Sequence, residues 1–399
     1  AGILATALNL GDELMTMDVT GSQRAGTTGL VNALKLASIG GDMLVAISEK
    51  RRTKAANPQE LMYGDGAAAF VVGQDAGVAE FVGAKQISVD FIDHYKGDTE
   101  EFDYHWEERW IRDEGYMKLV PRALEGLFSE TGVAPSDVNH FIMPCLIRRV
   151  SSMVAKAAGI PSDAIRDTMQ ATMGEAGTAH ALVMLASTLE EANPGEIIVI
   201  AGFGQGCDAL MFRVDDGIES KRPKMGVSGF MKRRVTESNY NKFLAFNGLT
   251  TLDHGLRGEV DRQTALTALY RNKKMLTALI GGKCRKCGTV QFPKSNVCVS
   301  PNCGEFHSQD DHPFADIPAT VQSWTADNLT YAVEPPQHFG MVVFQEGGRL
   351  MADITDVDVG GVEVGMSMRM VFRIKEFDGQ RGFTRYFWKA APDFTKDGS

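Results

Sequence analysis

Four cysteines constrain what this chain can fold into more than any other feature. Cys284 and Cys287 are spaced Cys-Arg-Lys-Cys, and after a short loop Cys298 and Cys303 are spaced Cys-Val-Ser-Pro-Asn-Cys. Each pair forms a turn that can aim two sulfurs at one tetrahedral metal, which is zinc-ribbon spacing; free thiols are the alternative reading. Four thiolates leave no open coordination position, so the zinc they imply is structural rather than catalytic. The ribbon also divides the chain, and any chemistry is to be sought ahead of it.

A length of 399 residues, 44% hydrophobic and 23% charged, is that of an ordinary globular protein with two or three domains. The net charge of -10 argues against nucleic acid as a partner. No apolar run is long enough to span a membrane and no signal peptide opens the chain. Thiolate–metal chemistry with few other cysteines suits a reducing compartment, so a cytoplasmic location is expected. The 42 glycines cluster in tight motifs, which suggests close backbone approaches.

Residues 1–215 alternate strand-like and helix-like segments, the pattern of an α/β layered fold. Strands are expected at Leu14–Val19, Asp42–Ser48, Ala67–Val72, Gly83–Phe91, Phe141–Leu146, Glu196–Ala201 and Ala209–Val214. Helices are expected at Thr27–Ile39, Tyr116–Thr131, Val150–Ala158 and, ended by Pro194-Gly195, Glu175–Ala192. The motifs GDGAAAFVV (64–72) and GFGQGCDALMF (202–212) each lead from a glycine turn into a strand. They suggest a duplicated domain with halves at about 1–80 and 81–215; coincidence in a glycine-rich chain is the plainer alternative. Residues 216–238 read as a basic linker, either solvated or meeting the phosphates of coenzyme A through Arg222, Lys224, Lys232 and Arg233. A helical segment at 239–283, the ribbon at 284–313 and a small barrel of OB type at 314–399 complete the chain. The barrel strands are expected at Thr320–Trp324, Gly340–Gln345, Met351–Thr355, Ser367–Ile374 and Thr384–Lys389.

With Asp18, Gly26-Thr27, Leu30, Ala33, GDGAAAFVV and PGEIIVIAGFGQG in place, residues 1–215 resemble the thiolase superfamily, in its 3-hydroxy-3-methylglutaryl-CoA synthase and ketoacyl synthase III branch. Residues 239–397 resemble the DUF35 acyl-CoA-associated family, a helix, zinc ribbon and OB-fold. The resemblance implies a layered α-β-α-β-α fold, a coenzyme A thioester as substrate, and a homodimer or a separate thiolase-fold subunit as partner. It also implies on the order of a hundred further residues ahead of Ala1, so the N-terminal part of that fold is expected to be missing here.

The family's catalytic side chains do not carry over. Its nucleophilic cysteine, on the turn into a buried helix whose N-terminus lowers the thiol pKa, aligns with Gln23. An amide cannot be acylated and regenerated as a thiolate can. The family's histidine aligns with Ile142, and its Gly-Asn pair with Gly174-Glu175. What the resemblance leaves in place are two main-chain oxyanion donors, the N–H groups of Gln23 and Gln205. Glu175 and His180 are the new polar groups at hand. On one helix they would point roughly 140° apart, so they share a site only with Glu175 at the cap. Each also has a plainer reading, Glu175 as a first-turn carboxylate and His180 as a satisfied core histidine. Cys145 and Cys207 read as buried thiols. The aromatic and acidic segment 90–110 can bring His94, His105 and Trp106 over the acyl pocket as a lid, or can be a solvated insertion; its spacing does not suggest a metal.

Two functions follow. One is carbon–carbon bond formation or cleavage (Claisen, retro-Claisen or retro-aldol) next to a CoA thioester, by an acyltransferase of thiolase type or an aldolase-type lyase. Gln23, Glu175 and His180 would be its side chains. The other is a non-catalytic subunit that assembles with a cysteine-bearing thiolase-fold partner and handles its acyl-CoA. Nucleic-acid binding by ribbon and barrel is opposed by the acidic balance.

Overall fold

The computed structural model describes residues 1–97, 99–223, 225–253, 265–330, 332 and 334–394. The chain forms two compact units, Val19–Leu249 and Ala1–Asp18 with Thr250–Ser399.

In the first unit α1 (Ala25–Ala37) leads to β1 (Met43–Lys50) and β2 (Asp65–Val72), an antiparallel pair with Val45 opposite Phe70. Next come β3 (Ala79–Ser88) and a two-stranded ribbon of β4 (His94–Tyr95) and β5 (Tyr104–His105). A π-helical turn, Ile111–Tyr116, runs into α2 (Met117–Thr131). Then follow β6 (His140–Ile142), α3 (Val150–Ala158), α4 (His180–Leu189), β7 (Ile197–Phe203) and β8 (Gly206–Val214). The four longer-range strands form one sheet in the order β3-β8-β7-β6, parallel only between β6 and β7.

The β7 strand is buried on both faces, and its alternation assigns each side chain to a layer. Ile197, Val199 and Ala201 pack with Leu124 and Leu127 of α2 and Val154 of α3. Ile198 and Ile200 pack with Leu30 and Val31 of α1 and Leu182 and Leu185 of α4. Val45 of β1 and the half-buried Phe70 of β2 join that second core. The layers therefore run helix, sheet, helix, sheet, which is the α/β layering expected. Each fully buried leucine here contributes about 1.5–3 kcal/mol.

Three local expectations are corrected. The helix expected over 175–192 begins only at His180, after a 3₁₀ turn at Gly177–Ala179. Gly174 and Gly177 have φ of 77° and 53°, and the Glu49 carboxylate takes the Thr178 N–H at 2.6 Å. Leu14–Val19 forms no strand; Met15 and Met17 are exposed and the Asp18 carboxylate receives the terminal ammonium at 2.9 Å. Nor is 216–238 an open linker along its length. It contains α5 (Ile218–Lys221) and α6 (Gly226–Lys232), and Glu190 accepts the N–H groups of Val227 and Ser228 at the start of α6.

In the second unit β9 (Ile280–Cys284), β10 (Val290–Gln291) and β11 (Gln309–Pro313) form a small sheet that carries the cysteine turns. Helices precede it at Leu266–Arg271 and Lys273–Leu276, while 254–264 of the expected helical segment lie outside the described residues. The barrel consists of β12 (Ala319–Asp327), β13 (Gln337–Phe344), β14 (Arg349–Asp353), β15 (Ser367–Asp378) and β16 (Phe383–Pro392). Their order is β14-β13-β12-β15-β16, and the sheet curls until Ile354, just past β14, bridges Ala390 of β16. Leu279 and Val290 share one core with Phe314, Val342, Phe344 and Met368, so ribbon and barrel pack as one body. Among the described residues no helix is long and apolar enough to cross a membrane.

Candidate active site and metal centre

A buried carboxylate fixes the turn that precedes α1. Asp208, on β8 and fully buried, accepts hydrogen bonds from Arg24 Nη1 at 2.5 Å, Thr28 Oγ1 at 2.5 Å, Thr27 Oγ1 at 3.0 Å and Gln86 Nε2 at 3.1 Å. Arg24 Nε also donates to the Gly204 carbonyl at 2.8 Å. The first turn of α1 is thereby held against the β7–β8 hairpin. Glycine makes the approach possible: a Cβ on Gly204 would lie 2.8 Å from Gln23 Cβ and 3.1 Å from Gln23 N. Gln205 sits at the hairpin tip in the left-handed region, φ 51°, and its carbonyl accepts the Val89 N–H at 3.1 Å.

A cleft opens beside this junction. Gln23, Asp93, His94, Tyr116, Cys145 and Glu175 are among the residues lining it, with Gly202 and Phe203 at the hairpin end. Its free space of about 40 Å³ holds a few waters. Glu175 is placed by two crossing glycine loops. Its N–H donates to the Met62 carbonyl at 2.7 Å, the Gly64 N–H donates back to its carbonyl at 3.0 Å, and a Cβ on Gly64 would lie 1.9 Å from the Met173 carbonyl oxygen. Its carboxylate is paired with Arg51 and accepts the Gly177 N–H at 2.9 Å. Arg51 in turn reaches Asp103 at 2.5 Å and lies 3.8 Å over the Tyr63 ring. The side chain of Glu175 thus faces the cleft as an ion-paired carboxylate ahead of the helix.

His180 has no exposed surface, does not line the cleft, and spends both ring nitrogens on the main chain. Nδ1 accepts the Ala176 N–H at 3.1 Å and Nε2 donates to the Thr168 carbonyl at 2.7 Å. This fixes a neutral tautomer, and burial holds its pKa below the ordinary histidine value. Cys145 does line the cleft, but burial pushes its thiol up to about 12, and Cys207, fully buried, is raised as well. Neither is a thiolate at neutral pH.

The segment after β3 folds as the β4–β5 ribbon, closed by the Trp106 N–H donating to the Asp93 carbonyl at 3.1 Å. His94 and His105 line the cleft; Trp106 packs beside Phe91, ring centroids 6.2 Å apart, outside the lining. Sequence reasoning missed Asp93 and Tyr116, which line the cleft, and Arg51, which pairs with Glu175. Tyr116, last residue of the π-helical turn, has its hydroxyl pKa raised by burial and stays a neutral donor.

Of the basic residues assigned to coenzyme A phosphates, Arg222 is otherwise engaged. Its Nη1 and Nη2 donate to the carbonyls of Leu189 at 2.9 Å and Ala192 at 2.5 Å, at the end of α4. Arg233 Nη1 lies 3.7 Å from the Met225 sulfur, Lys232 is exposed, and Lys224 lies outside the described residues.

In the second unit the sulfurs of Cys284, Cys287, Cys298 and Cys303 lie within 4.8 Å of one another. The Cys284–Cys303 pair is 3.9 Å apart and Cys287–Cys298 is 3.5 Å. A tetrahedral zinc with sulfurs at about 2.3 Å requires sulfur separations of about 3.8 Å, so this donor set fits zinc.

The comparisons with known proteins agree with both halves of this description. Residues 278–307 match the family model of the ChsH2 rubredoxin-like zinc ribbon domain, and 313–373 that of the ChsH2 C-terminal OB-fold domain. Residues 128–213 match the C-terminal model of 3-oxoacyl-(acyl-carrier-protein) synthase III. The hydroxymethylglutaryl-CoA synthase of Aeropyrum pernix is 28% identical over 255 residues, 62% of this chain and 70% of that protein. That of Caldivirga maquilingensis is 25% identical over 261 residues, 64% and 74%. Among solved structures, an HMG-CoA synthase complexed with CoA aligns with a TM-score of 0.54 at 15% identity, over 65% of this chain and 71% of that one. MvaS in complex with 3-hydroxy-3-methylglutaryl coenzyme A gives 0.51 at 18%, over 60% and 69%. At these identities the structural likeness is one of fold. The thiolase-like layered region, the zinc ribbon and the OB-fold are all present in this chain.

Proposed function

We propose that this chain binds an acyl-CoA thioester in the cleft beside Gln23 and acts in making or breaking the carbon–carbon bond next to the thioester, without a covalent acyl-enzyme. The observation that carries the reading is the junction of the Gln23 turn with the Gly202–Gly206 hairpin. It packs the Gln23 turn against the hairpin whose Gly202 and Phe203 line a cleft that contains no thiolate. Acyl transfer through a thioester exchange requires a nucleophile of low pKa, and Cys145 is not one. Aldol addition and retro-aldol cleavage need only a polarised carbonyl and a proton carrier, and both fit what lines the cleft. Gln23 and the main-chain N–H groups of Gln23 and Gln205 would bind the thioester oxygen. Glu175 would act as the carboxylate that, with Arg51, sets the polarity of the cleft wall. The hydroxymethylglutaryl-CoA synthases named above, which act beside a CoA thioester by their names, support the substrate class.

A second reading, an assembly subunit that holds acyl-CoA for a thiolase-fold partner, is favoured by His180, whose nitrogens are both taken by the main chain. Calorimetric titration with acetyl-CoA and 3-hydroxy-3-methylglutaryl-CoA, with acetyl-CoA release followed in parallel, separates the two. Binding with turnover supports the catalytic reading. Binding without turnover, regained on adding a cysteine-bearing thiolase-fold subunit, supports the assembly reading. Absence of binding would remove both.

A further inference from the structure

The cleft contains a histidine whose chemistry is unspent. His94 stands directly across the β4–β5 ribbon from His105, with ring centroids 4.8 Å apart. Residues paired across strands project to one face, and here that face is the cleft. The His94 side chain is 11% exposed, and its Nδ1 lies 2.9 Å from Asp93 Oδ2, a carboxylate 7% exposed. That approach is outside hydrogen-bond alignment, and neither ring nitrogen of His94 has a hydrogen-bond partner among the described residues. Buried imidazoles ordinarily use both nitrogens, as His180 does, so an orphaned one facing a cleft is a group kept available.

We infer that His94 moves the proton on the carbon next to the thioester carbonyl, with Asp93 as its counter-charge; the inference rests on the acyl-CoA reading above. Nε2 takes the proton from Cα, so that C–H bond breaks and an N–H bond forms. The electron pair passes into the thioester, whose oxygen carries it as an enolate. In the reverse sense the imidazolium returns the proton to Cα, and nothing is oxidised or reduced. The same step serves bond formation, where the enolate attacks, and cleavage, where the released enolate is protonated. The imidazolium would form with the Asp93 carboxylate on its Nδ1 side. The other groups around this pair are His105, Tyr63, Asp103 and Glu108, with Glu175 and Tyr116 also lining the cleft and Arg51 paired to Glu175. Burial, and then His94 itself, hold the pKa of His105 below the ordinary value, so His105 stays neutral beside it.

The test is deuterium exchange into the methyl group of acetyl-CoA in D₂O, followed by proton NMR on the 399-residue chain, with acetyl-CoA affinity measured calorimetrically alongside. The wild-type chain should exchange faster than buffer. His94→Gln should slow exchange by about 100-fold or more while affinity stays within about twofold. Added imidazole should restore part of the exchange to His94→Ala, which a structural role would not allow. Unchanged exchange in His94→Gln overturns the inference, as does a wild-type chain that binds acetyl-CoA yet exchanges no faster than buffer. A chain that binds no acetyl-CoA sinks the acyl-CoA reading, and the inference with it, and does so in the binding measurement rather than the exchange one.

Discussion

Single residues in this protein differ chiefly in whether their polar groups are spent. Asp208 is spent fully, on Arg24, Thr27, Thr28 and Gln86. Asp208→Ala would leave Arg24, 11% exposed, without its counter-charge, and breaking a buried pair from one side costs about 3–5 kcal/mol. The expected outcome is an unfolding free energy, measured by urea titration, lowered by that amount. A loss under about 1 kcal/mol would mean that water replaces the carboxylate. His180 is spent too, which gives a pH signature. Its folded pKa lies below the ordinary histidine value of about 6.5, so the unfolded chain binds the proton more readily. Its contribution is complete above pH 6.5 and is lost as pH falls toward the folded value. The stability difference between wild type and His180→Gln should therefore shrink on acidification below that pH; a difference independent of pH would mean the imidazole is not held neutral. Gln23 and Glu175 came into view through the family resemblance, which aligned them with the family's cysteine and Gly-Asn positions, and both line the cleft. His94 was legible only as an aromatic-segment residue. Its isolation depends on the β4–β5 pairing and on Asp93, which neighbours it in sequence but whose burial is a tertiary fact.

Elements are placed by close glycine contacts as much as by hydrophobic pattern. The strands β7 and β8 and the barrel strands β12 to β16 were legible from apolar runs and alternation, because burial on one or two faces writes a period into the sequence. The start of α4 was not, since its periodicity continues back through residues that turns at Gly174 and Gly177 divert. The linker at 216–238 looked open because its basic residues mask α6, which Glu190 caps from a distant part of the chain. The tightest of these contacts can be tested. Gly204 has φ 153° and no room for a Cβ against Gln23, whereas Gly195 has φ 85° and nothing within 4 Å. Both substitutions to alanine pay backbone strain of about 1 kcal/mol. Gly204→Ala must also push the hairpin off the Gln23 turn, and acetyl-CoA affinity should fall more than about tenfold. Gly195→Ala should bind as the wild type does. Equal affinities in the two variants would separate the hairpin from the binding site.

At the scale of the whole molecule, the two units solve stability differently. Residues 19–249 bury two apolar cores on opposite faces of one sheet, and their described residues contain no cluster of metal-ligating side chains. The described residues of the second unit form one core, to which the ribbon contributes Leu279 and Val290 beside Phe314 and Phe344. Its sheet of β9, β10 and β11 is too small to hold two cysteine turns together without a bond between them. Zinc bound by four thiolates supplies about 10–16 kcal/mol in small ribbons, and that binding energy is folding energy. Removal of the metal by a strong chelator should therefore abolish hydrogen-exchange protection in Ile280–Cys284 and Gln309–Pro313 first. It should then weaken protection where Phe314 meets the barrel. Protection in β7 and β8, which belong to the other cores, is the internal reference. Mass-spectrometric exchange on the metal-loaded and stripped chain reads all three regions at once. If Ile280–Cys284 keeps its protection after the metal is gone, the four sulfurs are held by the surrounding core rather than by zinc, and the ribbon is a passenger on the barrel instead of its staple.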